Sequence, residues 1–289
     1  MKSVFAVLLL VLGVAVAGTR AADAPKYPPF AIANSELRVL PPSPNGRTYQ
    51  LAVHLPGSYA TDPKRKYPVL YVTDAQWDFP TVVVSYDNLA YDKVVPEFIV
   101  VGLGYAGENL DYNKLRTWEL TPVPNEAGAK ASGHAAEFLG YLEKDIIPFV
   151  EREYRADSSY RVLAGSSLGG LFALYTMYTK PTLFQGCIAA SPAVVVGKDW
   201  LLGYEEKFAQ SGQPLNARLY VTGAENEGRG FLAGIKRYQD RLTTRKYPGF
   251  AYESRIIDGE RHAGTKAESY CRGLRFVFEP LAPEKGPSK

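Results

Sequence analysis

Polar and apolar positions along the chain sort into two alternating kinds of segment. Short runs dominated by apolar residues recur at YPVLYVTDA (67–75), FIVVGLGY (98–105), RVLAG (161–165), CIAASPA (187–193) and RLYVTGA (218–224). Strands apolar at consecutive positions are covered on both faces, which marks a parallel sheet lying between helices. An earlier run, YQLAVHLPGSY, alternates instead, with Leu51, Val53 and Leu55 set against Gln50, Ala52 and His54. A period of two predicts a strand with one covered face, antiparallel and near a sheet edge. Between the strands, AAEFLGYLEKDIIPFVEREY places Phe138, Leu142, Ile146 and Val150 on one helical stripe, with Ser132 ahead of it as the expected cap. LGGLFALYTMYTK is apolar all round, as a helix lying against the sheet centre would be, and GRGFLAGIKRYQDRLTTR and TKAESYCRGLRFVF supply two more helices. Strand–helix alternation of this kind predicts an α/β fold: one domain over 49–280, its mostly parallel central sheet covered by helices on both faces.

The first residues belong to a different kind of segment. MKSVFAVLLLVLGVAVAG has Lys2 near its start, an apolar stretch from Val4 to Val16, and small residues at Ala15 and Ala17. Charge, apolar core and an A-x-A-like end predict a secretory signal over residues 1–17, cleaved after Ala17 or alternatively near Ala22. The stretch falls short of the ~20 apolar residues of a spanning helix, so no stable membrane insertion is expected after cleavage; retention as an N-terminal anchor is the alternative. The expectation is export, to the periplasm or the medium. Residues 18–48, rich in proline from Ala24 to Pro44, read as an extended arm, and 281–289 as a C-terminal tail.

Composition narrows the functional classes. With 46% hydrophobic and 12% aromatic residues the chain can bury a large core, and its composition argues against disorder. The formal net charge is +3 with both signs interspersed, and signal removal takes away one basic residue, Lys2. A nearly neutral chain without a basic stripe gives no sign of nucleic-acid binding. The chain has three histidines, no Cys/His cluster with metal-ligand spacing and two cysteines, Cys187 and Cys271. Both cysteines sit in apolar runs that suit buried thiols, and export leaves a disulfide between them open.

Against this background RVLAGSSLGGLFALY stands out. Gly165-Ser166-Ser167-Leu168-Gly169 fits G-x-S-x-G, preceded by a strand and followed by a helix. In such a nucleophile elbow the serine makes a sharp, strained strand-to-helix turn that only small residues two places on either side permit. Ser167 is thereby the candidate nucleophile, and the Leu168 N–H, at the helix N-terminus, the candidate oxyanion donor. The alternative is a plain glycine-rich turn.

A serine nucleophile needs a base, and the base an orienting acid. His54 lies within the early strand and His134 opens the long amphipathic helix, whereas His262 follows the strand AYESRIIDGE in a loop, where the order Ser…acid…His puts the base. The acid is expected after RLYVTGA, in GAENEGRG: Glu225 is the first choice and Glu227 the alternative, while Asp258 is expected to serve a turn with Gly259.

These segments resemble a known family. FLGYLEKDIIPFVEREY…RVLAGSSLGGLFALYTMYTKPTLFQGCIAASPAVVVG, YPVLYVTDAQWDF and IIDGERHAGTKAESYCRGLRFVF are similar to the esterase D, feruloyl esterase and enterobactin esterase branch of the α/β-hydrolases, closest to its siderophore-esterase-like members. The resemblance extends from about Tyr49 to Phe278 and implies hydrolysis of a small-molecule carboxylic ester without a cofactor or metal. It implies a second oxyanion donor in the loop Asp74-Ala75-Gln76-Trp77, here assigned to Gln76, with Ala75 where the family usually has glycine. It also implies a pocket arginine, matched by Arg116 in LRTWELTPVP, with a surface salt bridge as the alternative. Trp77 and Trp200 are candidate aromatic pocket walls, or else core residues. The family's acid is variable, so a Ser–His dyad stays open. So do acyl transfer, feruloyl or short-chain acyl ester hydrolysis, and a non-catalytic binder that keeps the fold; oligomeric state is not read from the sequence.

Overall fold

The apolar runs become the inner strands of a single sheet. The computed structural model describes Tyr27, residues 30–124 and residues 132–283; the expected signal segment and residues 284–289 lie outside the described residues. The chain divides into two units, 1–31 and 32–289, and the second carries every helix and strand described below. Its strands are β1 (Ser35–Val39), β2 (Tyr49–His54), β3 (Tyr67–Val72), β4 (Ile99–Tyr105), β5 (Ala156–Ser166), β6 (Gly186–Ala190), β7 (Arg218–Ala224) and β8 (Ala251–Ile257). They lie in the order β1-β2-β4-β3-β5-β6-β7-β8. β1–β2 and β2–β4 pair antiparallel, and every pair from β4 through β8 is parallel. The alternating segment is β2, next to the edge, and residues 35–39 of the expected arm form the edge strand itself.

The helices are α1 (Ala75–Tyr91), α2 (Tyr112–Leu120), α3 (Ala135–Tyr141), α4 (Ile147–Glu153), α5 (Leu168–Thr179), α6 (Val196–Gln210), α7 (Arg229–Thr244) and α8 (Thr265–Val277). α1 and α8 build one apolar layer, and α3 to α7 the other. α5 is buried from Gly169 to Tyr178, as its all-round apolar sequence requires.

The long amphipathic segment is α3 and α4 joined by one wide π turn, Leu142–Ile146. Phe138, Leu142, Ile146 and Val150 repeat every four residues, which a 3.6-residue helix would carry steadily around its axis. The wide turn takes up this drift, and all four side chains are buried. Ser132 is not the cap: the helix starts after His134, whose side chain makes no capping bond. Cys187 is buried and Cys271 half-buried, and both are free thiols; burial pushes the Cys187 thiol far up.

Candidate active site

Parallel strands end at the same side of a sheet, so the loops after β3, β5, β7 and β8 gather along one rim. The four segments singled out in the sequence are these loops.

The turn after β5 is the tightest. Ser167 has φ 58° and ψ −115°, a conformation an L-residue adopts only under external restraint. The restraint comes from both sides. Its N–H donates to the Ala190 carbonyl and its own carbonyl accepts from the Ala193 N–H, each at 2.9 Å, so the end of β6 and the segment after it grip both backbone groups. The two glycines are required by space: a Cβ on Gly165 would lie 2.5 Å from the Gly169 carbonyl carbon, and one on Gly169 would lie 2.1 Å from Thr73 Oγ1. α5 starts immediately at Leu168, whose N–H belongs to the helix end that has no intrahelical acceptor.

The loop after β3 supplies a second helix N-terminus beside the first. Asp74 is left-handed at φ 56° and precedes α1 without capping it. Its carboxylate is instead held by the Arg116 fork, Nε to Oδ1 at 2.9 Å and Nη2 to Oδ2 at 2.7 Å. Arg116 Nη2 also reaches the Ser166 carbonyl at 3.4 Å, so one guanidinium ties this loop to the residue before Ser167. Arg116 was expected in the pocket wall with a salt bridge as the alternative; the pair is a salt bridge, but a buried one, with side-chain exposures of 14% and 3%. Trp77 and Asp78 donate their N–H groups to the Asp74 carbonyl, which leaves those of Ala75 and Gln76 at the open start of α1. The Gln76 carboxamide is buried with neither polar atom paired. Ala75 finds its room through Gly102 and Gly104 of β4, where a Cβ would come within 2.8 and 3.4 Å of the Ala75 methyl. Trp77 is 44% exposed, lies under the Arg116 guanidinium and meets the Tyr112 ring edge-on.

The loops after β7 and β8 meet each other. His262 Nδ1 lies 2.7 Å from Glu227 Oε1, and Phe231 of α7 stands edge-on to the imidazole at 5.0 Å. The Glu227 side chain is 1% exposed, its other oxygen unpaired, while His262 is 44% exposed on its side chain. Of the two glutamates it is Glu227, the alternative, that lies against the imidazole, and Glu225, the first choice, does not. Glu225 accepts the Gly259 N–H at 2.7 Å, and the Glu225 and Asn226 N–H groups donate to the Ile257 and Glu260 carbonyls. Residues 225 and 226 zip the two loops together, and the next residue, Glu227, reaches the imidazole.

Several supports have no sequence signature. Thr265 Oγ1 donates to the His262 carbonyl at 3.0 Å, Ser191 Oγ lies 3.4 Å from Thr265 Oγ1, and Thr222 Oγ1 meets Ser269 Oγ at 2.7 Å. The Ser191 N–H, which donates to Thr222 Oγ1 at 3.3 Å, and Ser269 Oγ, which donates to the Thr265 carbonyl at 2.6 Å, join these pairs, so buried bonds link the histidine loop to β7 and to the segment that grips Ser167. Asp78, fully buried in α1, receives Lys266 Nζ and Tyr270 Oη from α8, and burial holds its carboxyl above the usual range. Trp200 stacks on Tyr204 at 4.6 Å, among aromatics packed on the core. His54 lies between Ser35 and Asp87, and His134 stacks flat on Trp118 at 3.6 Å; neither is on the rim loops. Among the described residues no cluster of His, Cys, Asp or Glu could hold a metal, and no helix is long and apolar enough to cross a membrane.

A doubly covered, mostly parallel sheet with a serine elbow after its central strand is the frame of an α/β-hydrolase, and this chain is a carboxylic ester hydrolase. It belongs to the family described as "Putative esterase", which matches residues 43–221. It is 28% identical over 271 residues to the ferri-bacillibactin esterase BesA of Bacillus subtilis, covering 88% of this chain and 93% of that one. It is 31% identical to the siderophore triacetylfusarinine C esterase of Aspergillus fumigatus over 130 residues, 44% of each chain. The crystal structure of the BES protein from Bacillus cereus superposes with a TM-score of 0.79 at 26% identity, covering 87% of this chain and 97% of that one.

Proposed function

We propose that the chain hydrolyses the ester bonds of a catecholate tri-lactone siderophore, with Ser167 as nucleophile, His262 as general base and Glu227 as the orienting acid. The observation that carries the mechanism is the buried Glu227 carboxylate on His262 Nδ1, since it leaves Nε2 as the nitrogen to take a proton. Ser167 Oγ attacks the ester carbonyl as His262 Nε2 removes its proton. The Leu168 N–H and an N–H at the open start of α1, from Ala75 or Gln76, receive the charge on the carbonyl oxygen. Collapse expels the alcohol, which takes the proton from His262. Water then attacks the acyl-enzyme by the same route in reverse. Arg116 holds the Asp74 loop at its working distance from the elbow, and Trp77 offers an exposed ring to the substrate's aromatic groups. In this reading residues 1–17 direct the chain to the periplasm or medium, where it meets its substrate.

The siderophore assignment is supported by the relatives, whose names span a bacterial ferri-bacillibactin esterase and fungal siderophore esterases. Mass spectrometry of the products from a catecholate tri-lactone, iron-free and iron-loaded, beside a butyrate ester and a Ser167→Ala control, tests it. Cleavage of the tri-lactone to linear and monomer units far faster than butyrate is the expected result. Cleavage of butyrate alone would keep the chemistry and remove the siderophore.

A further inference from the structure

β1 is the terminal strand at one edge of the sheet, with no further strand beside it among the described residues, and the direction of its backbone groups can be read from its neighbours. Leu40 N–H donates to the Tyr49 carbonyl and Leu55 N–H to the Asn34 carbonyl, both at 2.9 Å, in a register that sets Glu36 against Val53 and Arg38 against Leu51. An antiparallel pair alternates hydrogen-bonded and non-bonded positions. Residues 34, 36, 38 and 40 therefore turn their backbone groups toward β2. Ser35, Leu37 and Val39 turn theirs outward.

Side chains divide the other way. Glu36 and Arg38 lie on the α4 face, where Tyr154 Oη donates to Glu36 and Arg38 donates to Glu153 at 3.1 Å. Leu37 and Val39 lie on the opposite face and are 64% and 60% exposed. Natural sheets blunt a free edge with a very short strand, charge, proline or a bulge; β1 is five residues long and its two charges, Glu36 and Arg38, are of opposite sign. Between Ser35 and Val39 there is no proline, and the β1–β2 register runs without a bulge.

We propose that β1 is the contact by which two copies of this chain associate, pairing antiparallel with β1 of the partner subunit about a two-fold axis at Leu37. About that axis Leu37 faces Leu37 of the partner subunit and Ser35 faces Val39 of the partner subunit. These are the residues with outward N–H and C=O groups, so each facing pair exchanges hydrogen bonds. Glu36 falls opposite Arg38 of the partner subunit, at a non-bonded position where facing side chains come closest. Register slips that keep the outward groups paired set Glu36 against Glu36 of the partner subunit or Arg38 against Arg38 of the partner subunit, and like charges directly opposite are unfavourable. The segment Ser-Glu-Leu-Arg-Val is complementary to itself in one register. The contact is isologous, joins two eight-stranded sheets into one, and covers Leu37 and Val39.

Charge reversal tests this. In sedimentation velocity at about 100 µM, a concentration suited to a small interface, the wild type should sediment as a dimer. Glu36→Arg and Arg38→Glu should each sediment as monomers, because each sets like charges against one another. An equimolar mixture of the two variants should recover the dimer, since every facing pair then has opposite signs. Loss of the internal contacts with Tyr154 and Glu153 would not be repaired by mixing, so recovery separates the two causes. Leu37→Lys, which keeps both charges, should also be monomeric. Ester hydrolysis and circular dichroism, unchanged in all variants, report the fold. A monomeric wild type, a dimer that survives both reversals, or a mixture that stays monomeric would overturn the proposal.

Discussion

Ser167 is held by its own stretch of chain and the strand beside it, whereas His262 and Glu227 are held by each other across two loops. The elbow needs a strand, two glycines and a helix start within a few residues, and its geometry follows from steric exclusion. The His262–Glu227 contact joins positions 35 residues apart and depends on how two loops are zipped together. A site can thus be rigid by two routes, one written locally and one only in the assembled fold.

The two routes should respond differently to substitution. Ser167→Ala should lower kcat by on the order of a million-fold, measured on any hydrolysed ester, with the fold intact. In the proposed mechanism Glu227→Gln removes the acid that orients the imidazole and should cost up to about ten-thousand-fold in kcat. Glu225→Gln should cost less than about tenfold, because it weakens one hydrogen bond between loops. Equal losses in the two variants would erase the distinction between acid and brace.

Glycine replacements sharpen the local half of the comparison. Gly165→Ala and Gly169→Ala should each destabilise by about 3 kcal/mol, as overpacking does when nothing can give way, read from thermal unfolding. Thr73→Ala should rescue Gly169→Ala, where the nearest obstacle is Thr73 Oγ1. It should not rescue Gly165→Ala, which also meets the Gly169 backbone.

The smallest expected effect concerns a charge buried away from the elbow. Glu119, with a 1% exposed side chain, takes hydrogen bonds from Arg47 and Tyr49, and burial holds its carboxyl above the ordinary value. A pKa raised on folding contributes stability below the unfolded-state value and loses it as pH rises through the folded one. Glu119→Gln should therefore flatten the fall in Tm as pH rises above about 4. An unchanged slope would show that Glu119 is fully compensated by Arg47.

The same contrast explains how much was legible in the sequence. The central parallel strands, β2, α5 and the serine turn each carry a pattern that repeats within a dozen residues. Glu227 was legible as one of two carboxylates and no further, since choosing between them required the hydrogen bonds of residues 225 and 226. The Arg116 residue was visible, but its partner Asp74 was not, because 42 positions separate them. Asp78 and Lys266 stand 188 positions apart, and neither carries a local signal. β1 was hidden in a proline-rich arm because a five-residue edge strand with charged and apolar positions mixed has little periodicity of its own. α1 was hidden by Pro80 and by the β-branched run Thr81-Val82-Val83-Val84, both poor helix formers.

The burial of α5 on all sides has a consequence for how the protein opens. Amides on such a helix exchange with solvent only when the whole sheet comes apart, while loops at the rim can open at far smaller cost. Ser167, the first residue before this helix, is therefore seated against one of the most protected parts of the molecule.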